Sequence, residues 1–146
     1  EPSTLDSILD RARIAVKRMG VRGMVIDPYN YIELNKENST ETEAISNMLT
    51  RVQKFVKAHD VHCWFIAHPS KINRSGVEQP RPDGMSISGS MAWWAKTDCG
   101  ITVHRQEQCV EIAVWKCRYR WVGTQGETTL LYNKTSGTYS ENLDQF

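Results

Sequence analysis

Two short apolar runs, each stopped by a single polar side chain, restrict this chain more than any other feature. Met24, Val25 and Ile26 lead to Asp27, and the run from Val61 to Ala67 leads to His68. Apolar side chains at consecutive rather than alternate positions predict strands covered on both faces of a sheet. Between the runs, Thr40 and Glu43 form a capping box, and Ile45, Met48, Leu49, Val52, Phe55 and Val56 recur at helical spacing. Strand, helix, strand, with a further helix in front, is the pattern of a right-handed crossover in a parallel sheet. That topology sends Asp27 and His68 to the same edge. In doubly wound sheets ligands gather beyond the carboxyl ends of the strands, where an Asp can hold a phosphate-bound magnesium ion. Each residue also has a plainer reading. Asp27 with Pro28 is a common turn former, and His68 alone fits a satisfied histidine at a strand end.

The leading helix is predicted from Ser3, a cap, through Leu5, Ile8, Leu9, Ala12, Ala15, Val16 and Met19 on one face. Gly20 stops it. Residues 28 to 40 lack periodicity and form a loop of a length that often carries function. From Pro69 to Ile87 the sequence loosens, with Lys71, Arg74 and Arg81 among prolines and glycines. Gly89 to Lys96 reads as a short helix with Trp93 and Trp94 turned partly inward, followed by a strand from Cys99 to His104. Val110 to Trp115 and Thr128 to Tyr132 alternate as an antiparallel hairpin, its turn around Gly123 to Gly126. A short strand near Thr138-Tyr139 and a frayed tail from Ser140 complete the chain.

At 146 residues with 40% apolar content, a single domain over 1–146 with one core is expected. Nine basic and nine acidic groups lie in residues 1 to 70, and nine and eight in the rest, so any nucleic-acid footprint must be local. The apolar runs are too short to span a bilayer and the start has no signal-peptide pattern, which points to an intracellular protein with no membrane partner. Cys63, Cys99, Cys109 and Cys117 show no close spacing that would clamp zinc or do redox chemistry, and four buried thiols are expected.

The ordered set of strand-Asp27, strand-His68, basic loop, Gly89-Ser90 helix, strand ending His104-Arg105, Lys116-Cys117-Arg118 and Tyr132-Asn133-Lys134 resembles the RecA-like motor domain of hexameric replicative helicases. The similarity is greatest to phage primase-helicases and Twinkle, and more distant to DnaB. It covers about Leu5 to Tyr139. It implies an α/β P-loop NTPase fold, a mostly parallel sheet flanked by helices with a C-terminal antiparallel hairpin, here as a partial domain. ATP or another NTP and magnesium are the implied cofactors. The implied partners are single-stranded DNA and further copies of the chain in a ring, hexameric in the family. A cytoplasmic phage or bacterial setting is implied, with a mitochondrial one left open.

The resemblance also implies roles. Asp27 matches the Walker B carboxylate that holds magnesium, and His68 the sensor of the terminal phosphate. Arg118 matches an arginine finger offered to a neighbouring subunit, with Lys116 pointing the same way. The family places a glycine soon after the finger, whereas Gly123 follows later here, so Arg120 competes for the role. Basic side chains on an exposed hairpin are the plain alternative for all three. Arg105 and Tyr132 match residues flanking the adenine base, although Tyr132 also suits a simple strand aromatic. Lys71, Arg74 and Arg81 lie in the segment matching the central-channel DNA loop, with Gly89 at the Gly-Ser pair beside it; a solvated basic loop is the other account. Ser88 stands where the family often has another basic residue.

No Gly-rich loop with Gly-Lys-Ser/Thr occurs in the sequence. The phosphate cradle and the family's catalytic glutamate are expected upstream of Glu1 in a longer parent, and the chain alone is expected to be inactive. Two other function classes stay open. One is a RecA-like recombinase or regulatory ATPase; the other is a catalytically inactive DNA-binding or assembly module.

Overall fold

The computed structural model describes residues 3–34, 39–70, 81–107 and 109–141. Their contacts gather into two units, Glu1–Ser70 with Ile87–Lys96, and Lys71–Ser86 with Thr97–Phe146. The first contains β1 (Ser3–Thr4), α1 (Leu5–Met19), β2 (Gly23–Ile26), a 3-10 turn (Tyr29–Tyr31), β3 (Ile32–Glu33), α2 (Glu41–His59), β4 (His62–Phe65) and α3 (Ser90–Lys96). The second contains a 3-10 turn (Gly84–Ser86), β5 (Cys99–Arg105), β6 (Cys109–Cys117), β7 (Gly126–Asn133) and β8 (Thr138–Glu141).

In the first unit α1 is capped by Thr4 rather than Ser3. The Thr4 hydroxyl accepts from the Ser7 amide at 3.2 Å. α2 starts with the expected capping box: the Thr40 amide donates to Glu43 Oε2 at 2.8 Å and the Glu43 amide to Thr40 Oγ1 at 3.3 Å. These bonds from Thr40, backbone first, hold the Glu43 carboxyl below its usual range. Ala44, Ile45, Met48, Leu49, Val52 and Phe55 are the buried stripe of α2, and Ile45 is 0% exposed. Burial of a side chain of that size contributes about 1.5–3 kcal/mol.

β2 and β4 pair in parallel, with Gly23 opposite His62 and Ile26 opposite Phe65. β1 and β3 form a second parallel pair. Among the described residues, only one face of the β2–β4 pair is covered. Met24, Ile26, Cys63 and Phe65 face the core, whereas Val25 and Trp64 remain 62% and 53% exposed. The expectation of strands covered on both faces is thus corrected, because the helices that pack against this pair serve the Met24–Ile26 side.

The second unit is a four-stranded antiparallel meander in the order β5-β6-β7-β8, larger than the hairpin read from the sequence. β6 leaves β7 at the Val114–Gly126 pair but stays with β5 as far as Cys117. Lys116 and Cys117 therefore belong to the β5 side, and the turn expected at Gly123 to Gly126 is only the end of a longer connection. Trp115 fixes this arrangement. Its ring lies so close over Gly100 and Gly84 that an added Cβ would stand 2.3 and 2.5 Å from it. The Thr102 hydroxyl donates to the Pro82 carbonyl at 2.8 Å, fastening the same incoming segment.

Of the thiols, Cys63, Cys109 and Cys117 are half-buried and Cys99 is exposed, against the expectation that all four are buried. Burial pushes the Cys63 thiol up to about 11. No helix among the described residues is long and apolar enough to cross a membrane.

Candidate functional site

Asp27 and His68 follow the carboxyl ends of neighbouring parallel strands, β2 and β4, and so share one edge. The ladder continues past both strand ends. The Ile66 amide donates to the Ile26 carbonyl at 2.8 Å, and the Tyr29 amide to the Ile66 carbonyl at 2.9 Å. Those two bonds bracket Asp27 and stop just short of His68. Beneath them, Trp93 of α3 meets the Tyr29 ring at 4.9 Å and the Phe65 ring at 5.3 Å, both edge-on. The Trp93 indole N–H donates to the Ser88 carbonyl at 3.0 Å, so this buried ring carries no unpaired donor. One tryptophan thus supports both strand ends. Asp27 and His68 are themselves exposed, and neither makes a hydrogen bond or ion pair with another described side chain.

Gly89 precedes α3 with φ +71°, and a Cβ there would stand 2.6 Å from Ile45 Cδ1. Positive φ and close approach to the most buried residue of α2 together account for glycine at this position. Lys71 and Arg74 lie outside the described residues. Arg81, in the second unit, pairs with Glu127 at 2.6 Å.

A charged cluster forms where β6 ends. Arg118 Nε lies 3.1 Å from Asp98 Oδ1, its Nη2 donates to the Thr97 carbonyl at 3.5 Å, and its amide donates to the Asp98 carbonyl at 2.8 Å. Lys116 is half-buried, and its ammonium is held below the ordinary lysine value by burial first and by the Arg118 charge second, with Asp98 acting the other way. Lys116 and Arg118 therefore do gather. Arg120 sits beyond them in an exposed turn with no partner among the described residues.

Arg105 and Tyr132 are also brought together, though in a different manner from the one expected. The guanidinium lies over the Tyr132 ring itself, 4.9 Å from its centre, while Tyr132 also meets Tyr139 at 5.0 Å. A base can reach either group only by displacing the other or by stacking on the outer face. The adjoining cavity, lined among others by Arg105, Tyr132 and Lys134, holds about 10 Å³, room for one water.

Two features were invisible in the sequence. A cavity of about 280 Å³ lies in the first unit, lined by Tyr29, Asn30, Ile32, Leu34 and Glu41. Burial, and then the Glu41 charge, push the Tyr29 hydroxyl up. His104, near the end of β5, is half-buried, and its Nδ1 has no hydrogen-bond partner among the described residues. Across the strands Glu111 Oε2 stands 4.0 Å away, an ion pair only when the imidazole is protonated. Neither carries a local sequence signal, because the cavity is lined by residues from separate elements and the His104–Glu111 contact depends on strand register.

No family model matches the chain. It is 39% identical over 146 residues, covering 94% of its length, to the Twinkle homolog protein, chloroplastic/mitochondrial, of Arabidopsis thaliana; the chain spans 20% of that curated relative. Among solved structures it is similar to an ATPase domain, with a TM-score of 0.75 and 20% identity, covering 95% of this chain and 51% of that one. It is equally similar to a DnaB-like replicative helicase studied with its primase interactions, at TM-score 0.75 and 20% identity, covering 94% and 35%. Those two likenesses give the fold, RecA-like and partial, with the parallel pairs and the antiparallel sheet in one chain. The sequence likeness to the Twinkle homolog and the fold shared with the two solved structures agree with one another: the chain matches a RecA-like helicase motor domain.

Proposed function

We propose that this chain, over 1–146, is one domain's share of an ATP-dependent replicative DNA helicase, whose parent forms a hexameric ring and hydrolyses nucleotide at subunit boundaries to move on single-stranded DNA. The observation that carries the reading is the shared edge of Asp27 and His68, held from beneath by Trp93.

Asp27 suits magnesium in one specific respect: its carboxylate is exposed and uncommitted to any described cation. Magnesium takes one or two carboxylates and completes its shell with water and phosphate, so a single Asp at a strand end is an adequate protein contribution. When bound, the ion neutralises charge on the nucleotide's phosphates. His68 can donate an N–H to a terminal phosphate oxygen and pass its loss to the loop that follows. Arg118 would act on a neighbouring copy's nucleotide, which requires leaving Asp98. That ion pair is exposed, and pairs of this kind contribute about 0–1 kcal/mol, so the exchange costs little. Arg120, two residues further along, competes for the same role. Arg105 and Tyr132 would present a stacking surface to the base. Lys71, Arg74 and Arg81 would pair with DNA phosphates, a contact that ignores sequence, and Gly89, in the other unit, is proposed separately as a DNA contact.

The relative's name places it in chloroplasts or mitochondria, and an organellar setting suits this chain as well as a phage or bacterial one. Strand displacement by the full-length parent tests the function. Unwinding of a forked duplex with ATP and magnesium, lost in Asp27→Ala, is the expected result. Hydrolysis without displacement would favour a recombinase or regulatory ATPase, and DNA binding without hydrolysis a binding module.

A further inference from the structure

Cys99 and Cys117 are distant in sequence, yet the β5–β6 register sets them directly opposite one another. The neighbouring hydrogen bond identifies the kind of pair. The Arg118 amide donates to the Asp98 carbonyl at 2.8 Å, one residue outward on each strand. A bond between those outer neighbours makes Cys99–Cys117 a non-hydrogen-bonded pair, in which Cα atoms stand about 4.5 Å apart and side chains on the same face approach most closely. A disulfide spans Cα separations of about 4.4–6.8 Å. The backbone is therefore already positioned for one.

Both thiols are free. Cys99 is exposed, and the half-buried Cys117 donates its S–H to the Tyr119 carbonyl at 3.5 Å. Burial first, and the Cys117 sulfur second, raise the Cys99 thiol above its ordinary value. Trp115, seated on Gly100 two residues before Cys117, holds the register that opposes them.

We propose that Cys99 and Cys117 are a redox modification site that closes to a cross-strand disulfide on reaction with a small-molecule disulfide of the glutathione type. Cys99, the accessible thiol, loses its proton and attacks one sulfur of oxidised glutathione. The glutathione S–S bond breaks, one glutathione leaves as thiolate, and a mixed disulfide remains on Cys99. The Cys117 thiolate then attacks the Cys99 sulfur and expels the second glutathione. Two protein thiols are oxidised, one glutathione disulfide is reduced, and the two protons end on the two glutathiones. The product ties the start of β5 to the end of β6, directly beside the Asp98–Arg118 pair. The site does not depend on any role for Arg118.

The test is incubation of the native chain with oxidised glutathione, followed by intact mass and peptide mapping. The expected result is a mass lower by two hydrogens, no retained adduct, and a Cys99–Cys117 peptide that thiol reductant releases. Cys117→Ser should lose the crosslink completely and retain one glutathione on Cys99, while Cys109→Ser should keep the crosslink. The wild-type map decides the question without any variant. A stable glutathione adduct on Cys99 in the wild type, an unreacted Cys99, a crosslink to Cys63 or Cys109, or a covalent dimer through Cys99 would each overturn the proposal.

Discussion

The strand edge carrying Asp27 and His68 and the segment carrying Lys116, Arg118 and Arg120 are built in opposite ways. The first is rigid beneath and unengaged above: Trp93 and the β2–β4 ladder fix the backbone, while neither side chain is committed to a described partner. The second is exposed along much of its length, and its central arginine already has an acidic partner in Asp98. A metal or phosphate contact needs a group waiting in place. A group that must reach a neighbouring molecule can be held loosely and released cheaply.

The sharpest separation of the two regions should come from Arg118→Ala in the full-length parent. Nucleotide binding should persist while DNA-stimulated ATPase falls by roughly 10³-fold or more, the scale of arginine fingers, and Arg118→Lys should not restore it. Mixing dead Arg118→Ala with dead Asp27→Ala subunits should return part of the activity, since some boundaries then hold both an intact edge and an intact arginine. If Arg118→Ala is silent and Arg120→Ala is not, the longer connection before Gly123 has shifted the role. Silence from both would remove the cross-subunit reading.

Trp93→Ala attacks the rigid edge instead. Loss of the ring under both strand ends should destabilise by about 3–5 kcal/mol, read in denaturant unfolding, with the β2–β4 amides losing hydrogen-exchange protection first. Gly100→Ala is the counterpart in the second unit. A methyl group there meets the Trp115 ring, so about 1–3 kcal/mol is expected, with protection lost in β5 and β6. Equal loss of protection across both units in either variant would show that the two regions are not separately supported.

Asp98→Asn, which removes the Arg118 partner, should matter least among the substitutions. A change within about 1 kcal/mol in unfolding free energy is expected, because the pair is exposed. A much larger loss would mean that Arg118 is a structural residue rather than one held in reserve. A pH titration adds a reference point for the local structure. The Glu43 carboxyl is lowered in the fold, so its contribution is present above the ordinary carboxylate range and is lost as pH falls through the lowered value. Exchange at the first turn of α2 should therefore rise only at acid pH, and Thr40→Ala should abolish that dependence.

Whatever rests on local spacing was legible from the residues alone. The capping box at Thr40 and Glu43, the α2 stripe through Ile45 and Phe55, and the parallel pair ending at Asp27 and near His68 follow from periodicity and end signals carried within a few residues. Matters that depend on which strands meet were settled only by folding in three dimensions. Folding left Val25 and Trp64 uncovered, because a run of apolar residues does not state which of its faces another element will reach. It laid Arg105 on Tyr132, set Lys116 and Cys117 beside β5 rather than β7, and placed Cys99 opposite Cys117. The physical reason is register. Side chains alternate along a strand, so a shift of one residue reverses every face, and in β6 that choice is held by the Trp115 ring seated on Gly100 and Gly84. No pattern local to Trp115 records where its two glycines will stand.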